Sequence, residues 1–387
     1  MIGLTGVYAG CTSDQARPSS SPTLKSHESP ELPSLLLGRV TAISAIKGDF
    51  ARLILGHENG ALSIWPDAPR PDSRPQEPIE SWIGHEGVVR TLQIDQAGGE
   101  LMSLGADGSW ATWSLDSRLL RRHRAPGVYA NRVVSDRRGG WIIAGARGVV
   151  ARWRDGARVW VSAGEHGRAT FDIAILDAQR ALSVGSDGWV RCWLIKNGRT
   201  CGSSPLHTGW LVKLLPAHGV QDTPRRMNNR DVTPSESNAQ VQWWLSAGSD
   251  GLIKVWSTAQ LNHLLAHSLK RAQQTPLQGG RADKPPPPHH QYRAHQKDIT
   301  RLSYHESLIL SGSEEGSITL LKLSPEGHLS LEWTLSSSPI KPVLSVLIDP
   351  RARRALIGGG ARRGILWSIA LEPPTTLGMA PKMSALF

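Results

Sequence analysis

Ser183-Val184-Gly185-Ser186-Asp187-Gly188, followed by Trp193, is a phrase that this chain repeats. It returns as Ser103-Leu104-Gly105-Ala106-Asp107-Gly108 before Trp113 and as Ser246-Ala247-Gly248-Ser249-Asp250-Gly251 before Trp256, with Ser, Asp, Gly and Trp at the same spacing each time. A phrase that recurs every several tens of residues marks stacked repeats, in which no unit buries its apolar face alone. Gly after Asp supplies the positive φ of a tight hairpin, so the phrase reads as strand, turn, strand. In the second unit the strands are expected from Val88 to Ile94, Leu101 to Leu104 and Trp110 to Trp113, separated by Gly98-Gly99 and Ala106-Asp107-Gly108.

With Trp as the ruler, Trp65, Trp113, Trp153 and Trp193 lie 48, 40 and 40 residues apart. The next steps are longer: 63 residues to Trp256 and 65 to Leu321, which follows Ser311-Gly312-Ser313-Glu314-Glu315-Gly316, where Glu and Leu replace Asp and Trp. Insertions near 219–240 and 268–291 account for the excess, and the second, with the run Pro285 to Pro288, reads as an extended or disordered loop. A weaker seventh unit runs from Ala355 through Gly358-Gly359-Gly360 to Trp367. Seven units are expected, although the inner strand of the fifth has no clear pattern.

The Gly84-His85 element ahead of the phrase, the strand-ending Trp and the period resemble the WD40 repeat. The resemblance implies an all-β fold, a seven-bladed β-propeller of four-stranded antiparallel blades. It also implies a buried relay in each blade, made of a His, the Ser of the second strand, the turn Asp and the Trp of the third strand. The matching positions are His85, Ser103, Asp107 and Trp113, then His166, Ser183, Asp187 and Trp193, then His218, Ser246, Asp250 and Trp256. Unit six keeps His295, Ser311 and Glu315 without the Trp, and units one, three and seven depart further. An open ring leaves an unpaired sheet edge, so residues 33–38, with Leu35-Leu36-Leu37, are expected to close it as the outer strand of the last blade. The propeller then spans 33–372, between an N-terminal segment 1–32 and a C-terminal tail 373–387.

At 387 residues, 39% hydrophobic and with 15 Trp, the chain can bury a large core, which the repeats and their insertions use up. The longest apolar runs fall short of the ~18 residues that cross a bilayer. Cys11, Cys192 and Cys201 have no zinc spacing. Cys192 and Cys201 flank Asn197-Gly198 on a hairpin and are expected to be free buried thiols, with a disulfide as the alternative in an oxidising compartment. Leu4-Thr5-Gly6-Val7-Tyr8-Ala9-Gly10-Cys11 supports two readings. In one it ends a bacterial lipoprotein signal, Cys11 is lipidated, and the Ser/Pro-rich stretch after it tethers an envelope protein; in the other it is the disordered tail of a cytoplasmic one. Tyr8 and the lack of a basic start count against the first.

The net charge of +11 brings acidic partners into consideration. Twelve Arg against three acids between Arg118 and Arg168, and a second group from Arg351 to Arg363, fall on blades that are not neighbours, and no aromatic-interleaved nucleic-acid motif accompanies them. Solvated basic surface is the better reading than a site for nucleic acid or anionic membrane. Nucleophile elbow, phosphate loop, dinucleotide fingerprint and zinc-protease pair are all missing from the sequence. No cofactor or metal is expected: of His289, His290 and His295, the last belongs to the repeat. Catalysis in the central funnel requires acids, His and Arg converging on the axis, and the repeat phrases offer no such set. The expected protein is a monomeric, non-enzymatic scaffold that presents propeller loops to a protein partner. Trp189, directly after the Asp187-Gly188 turn, is the candidate partner-binding residue, with packing on the next blade as its alternative, whereas Trp110 is expected in the core.

Overall fold

Short apolar runs separated by Gly-containing turns pair into hairpins, and the hairpins into sheets. The computed structural model describes residues 37–45, 52–66, 77–95, 100–114, 119–124, 129–136, 139–154, 157–217, 242–274, 286–336, 338, 340–349, 353–360, 366–371 and 383–385. Within them, strands form seven four-stranded antiparallel sheets, numbered here as blades 1 to 7 in chain order. Their inner strands are Val40–Ala45, Val89–Asp95, Ala130–Ser135, Thr170–Ile175, Leu211–Ala217, Ile299–His305 and Val343–Asp349, and the other strands of each blade follow outward in sequence. In blade 2 the first three strands are Val89–Asp95, Glu100–Gly105 and Ser109–Ser114, within a residue or so of expectation.

Both faces of a blade meet a neighbour, so second strands are apolar on both sides. Leu53–His57, Trp243–Gly248 and Arg354–Gly359 are buried at every position. The core is accordingly divided into wedges, one between each pair of consecutive blades. Ile54, Leu62 and Trp82 of blade 1 meet Leu92, Leu101 and Trp113 of blade 2, and Leu182, Val184 and Cys192 of blade 4 meet Leu214, Trp244 and Trp256 of blade 5. The last wedge joins Leu356 and Leu366 of blade 7 to Leu37, Val40 and Leu55 of blade 1 and closes the ring.

Four expectations are corrected. First, the outer strand of blade 7 is Met383–Ala385, paired with Leu366–Ala370 through Trp367↔Ala385 and Ile369↔Met383. The chain's own C-terminal segment takes the edge that residues 33–38 were expected to fill; Leu37 packs in the closing wedge outside any strand, and residues 33–36 lie outside the described residues. Second, the inner strand of blade 5 is Leu211–Ala217, ahead of the insertion and not within it. The insertion at 219–240 lies outside the described residues.

Third, the segment expected as a loop from 268 is helical up to Gln274, in the helix Thr258–Gln274 between the third and outer strands of blade 5. Ser257 caps it, accepting the Gln260 N–H at 3.0 Å, and Leu261 and Leu265 lie on one face, buried in the wedge of blades 4 and 5. Residues 290 and 291 belong to the outer strand His290–Arg293. Fourth, Cys192 and Cys201 form a disulfide. Cys192 pairs with Gly202, and a bulge inserts Cys201 as the extra residue opposite it, which brings the two Cα atoms to 4.9 Å.

Candidate functional site

One end of the ring carries the turns between second and third strands together with the loops that enter each inner strand. Its geometry is set by the relays. In blade 4 the Trp193 indole donates to Ser183 at 2.7 Å, the Ser183 hydroxyl donates to His166 Nε2 at 2.7 Å, and His166 Nδ1–H donates to Asp187 at 2.9 Å. That chain fixes the imidazole tautomer and ties the entry loop, which holds His166, to the turn, which holds Asp187. Burial holds the imidazole neutral, lowering the His166 pKa against the opposing pull of Asp187. Blade 2 inserts one more hydroxyl: Trp113 donates to Ser103 at 2.8 Å, His85 bridges Ser103 at 2.7 Å and Ser109 at 3.0 Å, and Ser109 donates to Asp107 at 2.8 Å.

In blade 5 the histidine is His207 and not His218. His207 lies 2.8 Å from Ser246 and 2.9 Å from Asp250, and Trp256 donates to Ser246 at 2.8 Å. His218 lies outside the described residues, beyond the inner strand that His207 precedes. Blade 6 keeps His295 on Ser311 at 2.8 Å, but its second partner is Ser317 at 2.6 Å. Glu315 stands outside this relay, half-exposed and 3.4 Å from Lys297. Blade 1 builds a relay from another histidine, His57, between Gly38 O and Ser63 at 2.8 Å each, with Trp65 donating to Ser63. Among the described residues blade 3 has none: the buried Trp153 Nε1 lacks a partner, and Arg152 instead donates from Nε and Nη2 to one buried oxygen, Asp136 Oδ2, at 2.8 and 2.6 Å.

Trp189 begins its strand beside the Asp187 turn and is half-buried. The Arg191 guanidinium lies 5.8 Å from its ring centroid and also bonds Asp187, so the relay carboxylate orients the cation and the cation covers the indole. Trp110 is buried in the wedge of blades 2 and 3. Two more exposed aromatics at this end escaped the sequence reading. Trp210, 46% exposed, and Tyr129, 63% exposed, each directly precede an inner strand. Trp210 is locked to the neighbouring turn, its N–H donating to Ser249 Oγ and its carbonyl accepting the Ser249 N–H, both at 2.8 Å, and it rests 5.8 Å from the Phe171 ring. For Trp210 the available signal was an aromatic immediately before the apolar-rich Leu211 to Leu215.

Contrary to the sequence reading, charged groups do converge on the axis. Asp172 of blade 4 faces Lys213 of blade 5 at 3.0 Å and Arg132 of blade 3 at 3.4 Å. The charges of Arg132 and of Arg90 on blade 2 lower the pKa of Arg301 on blade 6, after its burial, and neither lies on a neighbouring blade, so these charges act on one another across the ring. Among the described residues no group of three or more His, Cys, Asp or Glu is placed to hold a metal. Arg121, Arg122 and Arg124 lie far from the axis, on the exposed outer strand of blade 2.

Residues 287–320, which cover the outer strand of blade 5 and the first two strands of blade 6, match the family model described as WD domain, G-beta repeat. No curated protein matches the sequence. Among solved structures, the crystal structure of the WD40 β-propeller domain of Doa1 is similar over 84% of this chain and 90% of that one, with a TM-score of 0.57 and 14% identity. The chain carries a WD40 repeat and has the fold of a WD40 β-propeller.

Proposed function

We propose that this propeller is a non-catalytic platform that holds a protein partner against the end of the ring bearing Trp189, Trp210 and Tyr129. WD40 propellers generally bind protein partners, and the fold by itself hosts many unrelated activities. The observation that carries the reading is the pairing of surface aromatics with rigid mounts: the exposed Trp210 is held by both hydrogen bonds to Ser249, and the half-buried Trp189 by Arg191. Rigid, amphipathic aromatics supply contact area at low entropic cost and dominate binding energy at interfaces. The Ser, His and Asp side chains that could suggest hydrolytic chemistry are consumed in locking turns to loops, with burial holding His166 and His207 neutral.

The test is affinity capture with wild type and with the Trp210→Ala and Trp189→Ala variants, each shown to be folded by its unfolding midpoint. A protein retained by wild type and reduced at least tenfold by Trp210→Ala supports the reading. Retention by both variants at wild-type levels defeats it.

The Cys192–Cys201 disulfide favours an oxidising compartment, and so favours the reading of Cys11 as a lipidated residue of an exported protein. Cys11 itself lies outside the described residues. Mass spectrometry of the N-terminal peptide, after expression from the genomic context with upstream in-frame codons, decides it. A diacylglyceryl adduct on Cys11 is the expected result, and an intact peptide reading through Gly10-Cys11-Thr12 contradicts it.

A further inference from the structure

Every inner strand carries a β-bulge near its start, at the same register in all seven blades. The residue just past the bulge therefore sits at one level around the axis. On blades 3 to 6 that residue is Arg132, Asp172, Lys213 and Arg301. On blades 7, 1 and 2 it is Ser345, Ala42 and Thr91. Charged residues thus occupy this level on one arc of the ring and small uncharged ones on the other. Arg90, one residue earlier on the adjoining blade 2, extends the charged arc, with its guanidinium donating to Asn131 of blade 3 at 2.9 Å.

Charge does not balance at this level. Asp172 is the one carboxylate that these four cations contact among the described residues. Its side chain is 1% exposed, and it already takes Lys213 at 3.0 Å, Arg132 at 3.4 Å and the Leu214 N–H at 3.1 Å. Arg301 donates to a backbone carbonyl, that of Thr300, at 2.7 Å. Three positive charges are left over on the inner strands, where water screens the partly buried Arg132, Lys213 and Arg301 less than the exposed Arg90. Burial and the neighbouring guanidiniums push Lys213 down to about 8 and lower Arg301 as well. Ser345 adds a buried hydroxyl with no hydrogen-bond partner.

Uncompensated charge that is partly withdrawn from water is costly, and an arrangement that relieves it is a bound anion. We propose that the channel is a site for a compact multivalent oxyanion of the phosphate class, held by Arg90, Arg132, Lys213 and Arg301, with Asp172 orienting Arg132 and Lys213. Fork-shaped guanidiniums match phosphate oxygens bidentately, and a surplus of three charges fits an anion of more than one charge.

The test is calorimetric titration of the full chain at pH 7 and constant ionic strength with inorganic phosphate, tripolyphosphate and O-phosphoserine as probes. One saturable site is expected, tighter for tripolyphosphate than for phosphate; O-phosphoserine binding at least as well as phosphate identifies an esterified phosphate as the ligand, and weaker binding identifies a free anion. Arg301→Gln and the more exposed Arg90→Gln should each weaken tripolyphosphate at least tenfold, whereas Arg121→Gln on the outer strand of blade 2 leaves it unchanged. Without ligand, Arg301→Gln should raise the unfolding midpoint, since it relieves repulsion, an effect opposite to that of removing a structural residue. Non-saturating heats, or saturable binding that survives both Arg90→Gln and Arg301→Gln, overturn the proposal.

Discussion

Asp187 and Glu315 occupy equivalent turns, yet the relay gives them different weights. Asp187 accepts from His166 at 2.9 Å beside Arg191, whereas Glu315 reaches Lys297 at the surface. Asp187→Ala should therefore destabilise by ~1–3 kcal/mol, because a buried imidazole N–H loses its acceptor, and Glu315→Ala by under ~0.5 kcal/mol. Urea unfolding midpoints check both; equal shifts contradict the relay. The same buried imidazoles make the fold acid-sensitive. Burial lowers His57, His85 and His295 from 6.5 to about 4. The unfolded chain then binds more protons than the folded one between those values, so stability is full above pH 6.5 and falls as pH drops towards 4, by ~2–3 kcal/mol per histidine. Thermal melts at pH 7 and pH 5.5 should already show a clear drop in Tm above the carboxylate range, and a flat profile contradicts buried neutral histidines. Most of this was legible: His85 follows from its Gly-His element, and His166, which Glu165 precedes, from its spacing to the phrase. His207 was missed because the insertion separates it from Ser246 by 39 residues, although it follows Trp193 by 14, close to the 13 between Trp153 and His166. Counting forward from the preceding Trp survives an insertion that counting back from Ser does not.

At the scale of elements, hairpins with Asp-Gly turns were readable because their chemistry is local. The helix Thr258–Gln274 was not, since its apolar face is short and earns its stability by packing on the blade 4 edge. Met383–Ala385 was hidden for a similar reason: three residues carry no periodicity, and what selects them is the exposed edge of Leu366–Ala370. Deleting residues 382–387 should uncover that edge, lowering the unfolding midpoint and producing concentration-dependent self-association on size-exclusion chromatography. An unchanged midpoint and a monodisperse monomer at all concentrations would show that another segment closes blade 7.

At the scale of the molecule, the ring converts local repeats into positions that no local pattern announces. Arg90, Arg132, Asp172, Lys213 and Arg301 are spread over more than two hundred residues of sequence and meet because seven inner strands share one axis. Trp189, Trp210 and Tyr129 share an end of the ring for the same reason. The central claim is that this end is the working surface, and hydrogen exchange measured with and without a captured protein partner tests it most directly. Partner binding should slow exchange at 129–131, 187–191 and 207–212 and leave the outer strands Leu119–Arg124 and Ala157–Val161 unchanged. Protection confined to those outer strands, with the loop end exchanging as in the free protein, would contradict it.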